Sequence, residues 1–277
     1  MTAALVSRGP ALHDFEAMGT SCRVVLAVPD PAAVIAAEGW VRETAARLTR
    51  FAPDSELLAL NRRAGAWVEV SPLLAELLEV ALWAYRRSDG LVHAGVLPAL
   101  LAAGYRRHFP EGPEPPGARP LPPPPLPEML SVRRRQARLR PGCAIDLGGL
   151  AKGWMADRLA ARLNRAAVVN LGGDLRAAGD AAWPVGFADG VRDLREEGAA
   201  TSSIRHRRWR TGQGWAHHLI DPRTAAPSTS GVAQVQVVAA SALEAEVLAK
   251  QAVLLGPAEG RALLRRRARA WRLEPDA

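Results

Sequence analysis

The sequence of 277 residues predicts an α+β fold of mixed sheets with packed helices. Three observations carry that expectation. Apolar β-branched runs and helical periodicities interleave without the strict alternation of a βαβ array. Several helix starts carry Ser or Pro signals, and their ends carry Gly. The length suits one large domain or two modest ones with a real core, and no internal repeat divides it.

Taken in order, Phe15 to Val28 contains AMGTSCRVVLAV, a Gly-Thr turn leading into an apolar run, and reads as an opening strand. Pro31 to Phe51 is Ala-rich, with Val34, Ala37, Val41 and Ala45 on one face, the mark of a helix. Asp54 and Ser55 can cap a short helix through Leu57, Leu58 and Asn61, stopped by Gly65. Ser71 and Pro72 open a longer one, with Leu74, Leu77, Leu78, Ala81 and Leu82 on its apolar face, ending near Ser88-Asp89-Gly90. From Pro110 to Pro127, ten of eighteen residues are proline. Such a stretch favours extended polyproline conformation and excludes a central strand or helix. It divides the chain into an N-terminal part, 1–109, a surface excursion, 110–128, and a C-terminal part, 129–277.

Ala144 to Gly149 reads as a strand end running into a glycine turn, and Leu150 to Leu163 as the helix after it. Ala167 to Leu171 is a short strand before Gly172-Gly173-Asp174. Trp183 to Ala188 and Ala216 to Ile220 read as further strands, the second closing in Asp221-Pro222. Val235 to Ala239 alternates as a strand. Ser241 and Glu244 form a capping box for a helix through Leu255, ended by Gly256-Pro257.

Composition narrows the function classes. Hydrophobic residues make up 48% and charged residues 23%, which argues against disorder over most of the length. No apolar run approaches the roughly 18 residues of a spanning helix, and the N-terminus is too short in apolar residues for a secretory segment. Two cysteines, Cys22 and Cys143, cannot make a disulfide framework or a cysteine metal cluster. A soluble, cytoplasmic protein is expected. The net charge of +8 invites nucleic acid, yet all but two of the 36 basic residues are Arg. That ratio, with abundant Ala, Gly and Pro, reflects GC-rich coding, and makes Arg clusters the ordinary form of a solvated face. Lys152 and Lys250 stand out because guanidinium and ammonium are not interchangeable near phosphate or metal.

Three segments carry chemistry. In DLGGLAKGWMAD, Asp146 to Asp157, paired glycines before a helix expose backbone N–H groups where the helix dipole favours an anion. Lys152 can add a point charge to a phosphate, and Asp146 can accept from a ribose or a ring N–H. The spacing matches neither standard nucleotide fingerprint, so an anion site and a plain strand-to-helix turn stand level. In WAHHLIDPRTAAPS, Trp215 to Ser228, neighbouring His217 and His218 of a strand point to opposite faces. At most one faces a given pocket, as a candidate general base; spacing alone favours an exposed histidine and a satisfied core one. In SALEAEVLAK, Ser241 to Lys250, Glu246 and Lys250 sit at i and i+4, an order that suits a surface ion pair worth roughly 0.2–0.5 kcal/mol.

In this order the segments resemble the ApbE family of flavin transferases (FAD:protein FMN transferases). The resemblance runs from AMGT at Ala17–Thr20 through DSELLALN at Asp54–Asn61 and SDGLVHAGVLPAL at Ser88–Leu100. It continues with DLGGLAKGWMAD, VVNLGGDLRAAG at Val168–Gly179, HHLIDPRTAAPS and VQVVAASALEAEVLAKQAVLLG. The resemblance implies that FAD is split at its phosphoanhydride, AMP leaves, and FMN is esterified to a threonine hydroxyl of a target protein. Some relatives hydrolyse FAD instead, and a catalytically reduced flavin-binding protein is a third reading. By matching motifs, Met18, Ser55, Asp146, Lys152 and Ile220 are expected to contact FAD, and His218 to be the base. Magnesium ligands are expected at Gly149 and Glu246. Two departures stand out. An aromatic-Asp-Pro is replaced by Val92-His93-Ala94. The last helix carries Glu246 and Lys250 where the family has Asp and Thr as metal ligands. Glu is an oxygen ligand, but an ammonium has no lone pair, so Lys250 is expected either to leave the metal to Glu246 and Gly149 or to take over its electrostatic role.

Overall fold

The computed structural model describes residues 10–276 apart from residue 213, so the first nine residues, part of the N-terminus read above as non-secretory, lie outside it. At its centre is a seven-stranded sheet. Its strands are β1 (Ala11–Ala17), β2 (Thr20–Leu26), β3 (Ala167–Leu171), β4 (Asp174–Ala178), β5 (Glu197–Ser203), β6 (Val232–Ala239) and β7 (Ala270–Pro275), side by side in that order. The α+β class stands, but the sheet expected to be mixed is antiparallel at every pair. For two of the six pairs the reason is local. Met18-Gly19 and Gly172-Gly173 close tight hairpins, all four residues having positive φ, and a hairpin admits only antiparallel pairing. The expected single opening strand is thus the hairpin β1–β2. At Gly172 a side chain would collide with Thr20, so only glycine fits there.

The six longest helices are α1 (Pro31–Leu48), α2 (Glu56–Arg62), α3 (Pro72–Arg87), α4 (Ala151–Leu163), α5 (Ala242–Leu255) and α6 (Pro257–Arg267). The serine caps do what their sequence positions promise. Ser55, Ser71 and Ser241 each accept, at 3.1–3.2 Å, from the N–H three residues on. Alternation along the sheet sorts its two faces. Val169 and Leu171 of β3 join the main core with α1, α3 and α4, and Val235 and Val237 of β6 pack with Leu248 and Ala252 of α5. Val168 and Val238 face the other way, onto Trp183 and Leu194 of a small hairpin.

Two expected strands change. Ala144–Leu147 is neither helix nor strand. Its backbone is held instead by the Asn61 side chain, which exchanges two 2.9 Å bonds with Ile145, and by the Ala94 carbonyl, which accepts from the Asp146 N–H. The expected strand 216–220 is two pieces, Gly214–His217 and Ile220–Asp221, broken at His218. From Gly112 to Pro125 the proline stretch has neither helix nor strand. It is tied down at Glu114 and Gly117, whose N–H groups reach the Gly104 and Ala102 carbonyls, and at Pro124, whose carbonyl accepts from His93. One core spans both sides of it, joining Leu57 and Leu78 to Leu147 and Met155.

Candidate functional site

The glycine turn before α4 is positioned by the bonds just described, and Asp146 stands at its mouth. Asp146 Oδ1 accepts from the Gly148 N–H at 2.9 Å, and Oδ2 lies 3.0 Å from Arg50 Nε. The Arg50 side chain is 4% exposed and donates to the carbonyls of Tyr105 (2.7 Å) and Arg106 (3.3 Å). Its guanidinium lies over the rings of Phe51 and Tyr105.

α4 and α5 are locked together by carboxylates. Asp157 of α4 accepts from the N–H groups of Ala242 and Leu243, both at 2.9 Å, and so caps α5 from outside. Glu246 of α5 reaches back, its Oε2 accepting from the Gly153 N–H at 3.0 Å. A side chain at 153 would meet that carboxylate and the Ala242 carbonyl, so glycine is what lets the two helices approach. Lys152 pairs with buried Asp174 at the start of β4, and its Nζ lies 3.6 Å from Glu246 Oε1. Lys250 donates to the Gly149 carbonyl. The surface ion pair suggested by i, i+4 spacing is therefore absent. Glu246 is buried, and each member of the would-be pair is turned to a partner on the glycine segment. Burial pulls both lysine ammonium groups below their ordinary pKa, and the Glu246 carboxylate opposes that pull.

The two neighbouring histidines differ completely. His217 is buried and fully bonded, with Nδ1 accepting from the Leu219 N–H at 3.2 Å and Nε2 donating to the Ser228 carbonyl at 2.9 Å. His218 has a buried Nδ1 with no partner. Burial, followed by the charges of Arg207 and Lys250, holds its imidazole well below the ordinary value, hence neutral at pH 7. Its N–H donates to the Arg207 carbonyl at 3.3 Å. That bond continues the ladder in which Arg208 faces His217, and so sets Arg207 opposite His218.

Bonds and electrostatic contacts thus gather Asp146, Gly149, Lys152, His218, Glu246 and Lys250 into one cluster. Among the described residues, no hydrogen bond or ion pair joins Met18, Ser55 or Ile220 to it. Met18 forms the left-handed corner of the β1–β2 turn, with φ of 56°. Ser55 spends its hydroxyl oxygen on the α2 cap. Ile220 is buried beside Leu100 and Ala225. Sequence reasoning missed Arg50, Asp174 and Arg207. Asp174 was within reach, since it follows the paired glycines 172–173; the two arginines had no contrast in so Arg-rich a chain.

The oxygen set expected for magnesium, Gly149 and Glu246, does not fit that ion. Magnesium asks for a near-octahedral shell of oxygen ligands. Here the Gly149 carbonyl already accepts from an ammonium, and Glu246 is turned to the Gly153 N–H and Lys152. Among the described residues no group of three or more His, Cys, Asp or Glu side chains is arranged to hold a metal, and no helix is long and apolar enough to cross a membrane.

A sequence model described as the ApbE family matches residues 18–271. The FAD:protein FMN transferase of Treponema pallidum is 30% identical over 297 aligned positions, covering 90% of this chain and 79% of that protein. The enzyme of the same name from Klebsiella pneumoniae is 27% identical, covering 79% and 74%. Among solved structures, the ApbE protein of Thermotoga maritima superposes with a TM-score of 0.83 at 22% identity, covering 96% of this chain and 97% of that one.

Proposed function

This chain belongs to the ApbE family, and we propose that it cleaves FAD at the pyrophosphate and transfers FMN to a threonine hydroxyl of a target protein. The observation that carries this reading is His218. It is neutral, its Nδ1 has no partner among the described residues, and the charges of Arg207 and Lys250 act on it. A base for an incoming hydroxyl must be unprotonated and unengaged, whereas a structural histidine such as His217 is neither free nor aimed.

In this reading Asp146 accepts from the cofactor, Lys152 serves the phosphate end, and Met18, Ser55 and Ile220 shape its surroundings. The threonine oxygen attacks the FMN phosphorus and forms the new ester bond. The bond from that phosphorus to the bridging oxygen breaks, and AMP departs with that oxygen. His218 takes the hydroxyl proton, and the cluster's cations stabilise the charge that builds on the phosphoryl oxygens.

The test is incubation with FAD and an acceptor protein, with AMP followed by chromatography and flavin fluorescence followed on the denatured acceptor. AMP together with a fluorescent acceptor supports transfer. AMP with free FMN replaces it by hydrolysis, and bound flavin without AMP replaces it by binding alone.

A further inference from the structure

We infer that the diphosphate of FAD is held by side-chain cations alone, with the Lys250 ammonium and the Arg207 guanidinium standing where a divalent ion would be needed. The inference rests on the FAD reading above and names what neutralises the substrate.

Lys250 is the first ground. Its ammonium is drawn into the protein, yet among the described residues its one hydrogen bond goes to a neutral carbonyl, that of Gly149. No carboxylate lies within ion-pair distance of it. Of the two acids that act on it from further off, Glu246 and Asp146, the first is shared with Lys152 and the second is matched by Arg50. A buried cation without a counter-charge is costly, and an anion arriving at the Gly149 turn removes that cost.

Arg207 is the second. It stands opposite His218 in register, with its carbonyl accepting the His218 N–H. Every ion pair of the described residues leaves its guanidinium out. It is near enough to Arg50, Lys152, His218 and Lys250 to act on all four electrostatically. The four cations Arg50, Lys152, Arg207 and Lys250 thus share a cluster whose three carboxylates, Asp146, Asp174 and Glu246, are already engaged by Arg50 and Lys152. The surplus belongs to Lys250 and Arg207.

A divalent ion has no place in this arrangement. On the Gly149 carbonyl it would displace an ammonium bound to the same oxygen and then face that ammonium and Arg207 as like charges. Lysine supplies a compact point charge on a flexible stem, and arginine a planar fork that matches two phosphate oxygens. Together they provide two positive charges, the charge of one magnesium ion.

The experiment is calorimetric titration of FAD into the full chain, once with magnesium chloride and once with EDTA. The parent is expected to bind with the same Kd in both, within about threefold. Lys250→Thr, which restores an oxygen ligand, is expected to lose at least about tenfold in EDTA and to recover in magnesium, while Arg207→Gln loses about tenfold in both. Parent binding that requires magnesium overturns the inference while leaving the FMN-transferase reading intact. So does Lys250→Thr or Arg207→Gln binding like the parent in EDTA. A parent that binds FAD in neither buffer overturns the FMN-transferase reading and this inference with it. The parent's two buffers need no variant, so a substitution that fails to fold leaves the test decisive.

Discussion

Arg50 Nε sits 3.0 Å from Asp146 Oδ2, and the guanidinium that holds this carboxylate is itself held over Phe51 and Tyr105. The pair makes Asp146 a fixed acceptor instead of a mobile surface acid. Asp146→Ala is expected to weaken FAD binding more than about tenfold, because a hydrogen-bond donor of the cofactor is left unpaired. Arg50→Met keeps the carboxylate but releases it, and is expected to weaken binding in the same direction by a smaller factor. Calorimetry reads both, and unchanged affinity in Asp146→Ala removes the cofactor from this segment.

The adjacent histidines separate chemistry from structure. His218→Ala is expected to lower turnover at least about a hundredfold with FAD affinity nearly unchanged, as removal of a general base does. His217→Ala removes the partner of the Leu219 N–H and the Ser228 carbonyl, and is expected to cost about 1–3 kcal/mol of stability. The sequence allowed one satisfied core histidine in the pair, and His217 is that one. Equal loss of turnover from both substitutions, with equal unfolding temperatures, rejects the assignment.

Acid sensitivity follows from two histidines with the same bonding. In His93, as in His217, Nδ1 accepts a backbone N–H and Nε2 donates to a carbonyl, so protonating Nδ1 breaks a bond. Burial holds both imidazoles below their ordinary value. The unfolded chain therefore takes up protons first. Stability is whole above about pH 6.5 and is lost as pH falls from there through the folded-state values. Thermal unfolding between about pH 8 and about pH 5 is expected to show that loss. In His217→Gln, which keeps an acceptor and a donor without titrating, the slope is expected to be shallower. An unchanged slope refutes the attribution.

Asp157 is the last residue of the DLGGLAKGWMAD motif, yet it touches no member of the cluster and instead caps α5. Asp157→Ala leaves two N–H groups unmet and is expected to cost about 1–2 kcal/mol. FAD affinity is expected to fall as well, because the cap sets where Glu246 meets Gly153. Asp157→Asn, which can still satisfy one of those donors, is expected to fall between parent and Ala. Parent-like unfolding in Asp157→Ala shows that the cap does not hold the two helices together.

What could be read from the sequence was what the sequence encodes locally. Ser55, Ser71 and Ser241 marked their helices because a cap needs only the next three residues. The order of the sheet was hidden, since β2 pairs with β3 across more than a hundred residues. Ala144–Leu147 looked like a strand because it is mostly apolar and runs into a glycine turn, but Ile145 is bonded by a side chain, Asn61, from α2 and not by a neighbouring strand. Lys152 and Lys250 stood out through rarity, and both lie in the cluster. Arg50 and Arg207 belong there equally and were invisible among so many arginines.

The way α5 docks on α4 has a consequence for biosynthesis. A chain emerges N-terminal end first, at about 5–20 residues per second. Strands β1 to β4 and helix α4 are made well before α5. Until Ala242 and Leu243 arrive, Asp157 has nothing to cap; until Lys250 arrives, the Gly149 carbonyl has no ammonium. A nascent or prematurely terminated chain therefore owns the glycine turn but not the Lys250 ammonium that bonds to it or the Glu246 carboxylate that meets Gly153. On the proposed reading, FAD is captured only when nearly the whole polypeptide exists, and because a ligand of the native form stabilises that form alone, it favours the finished product over every fragment.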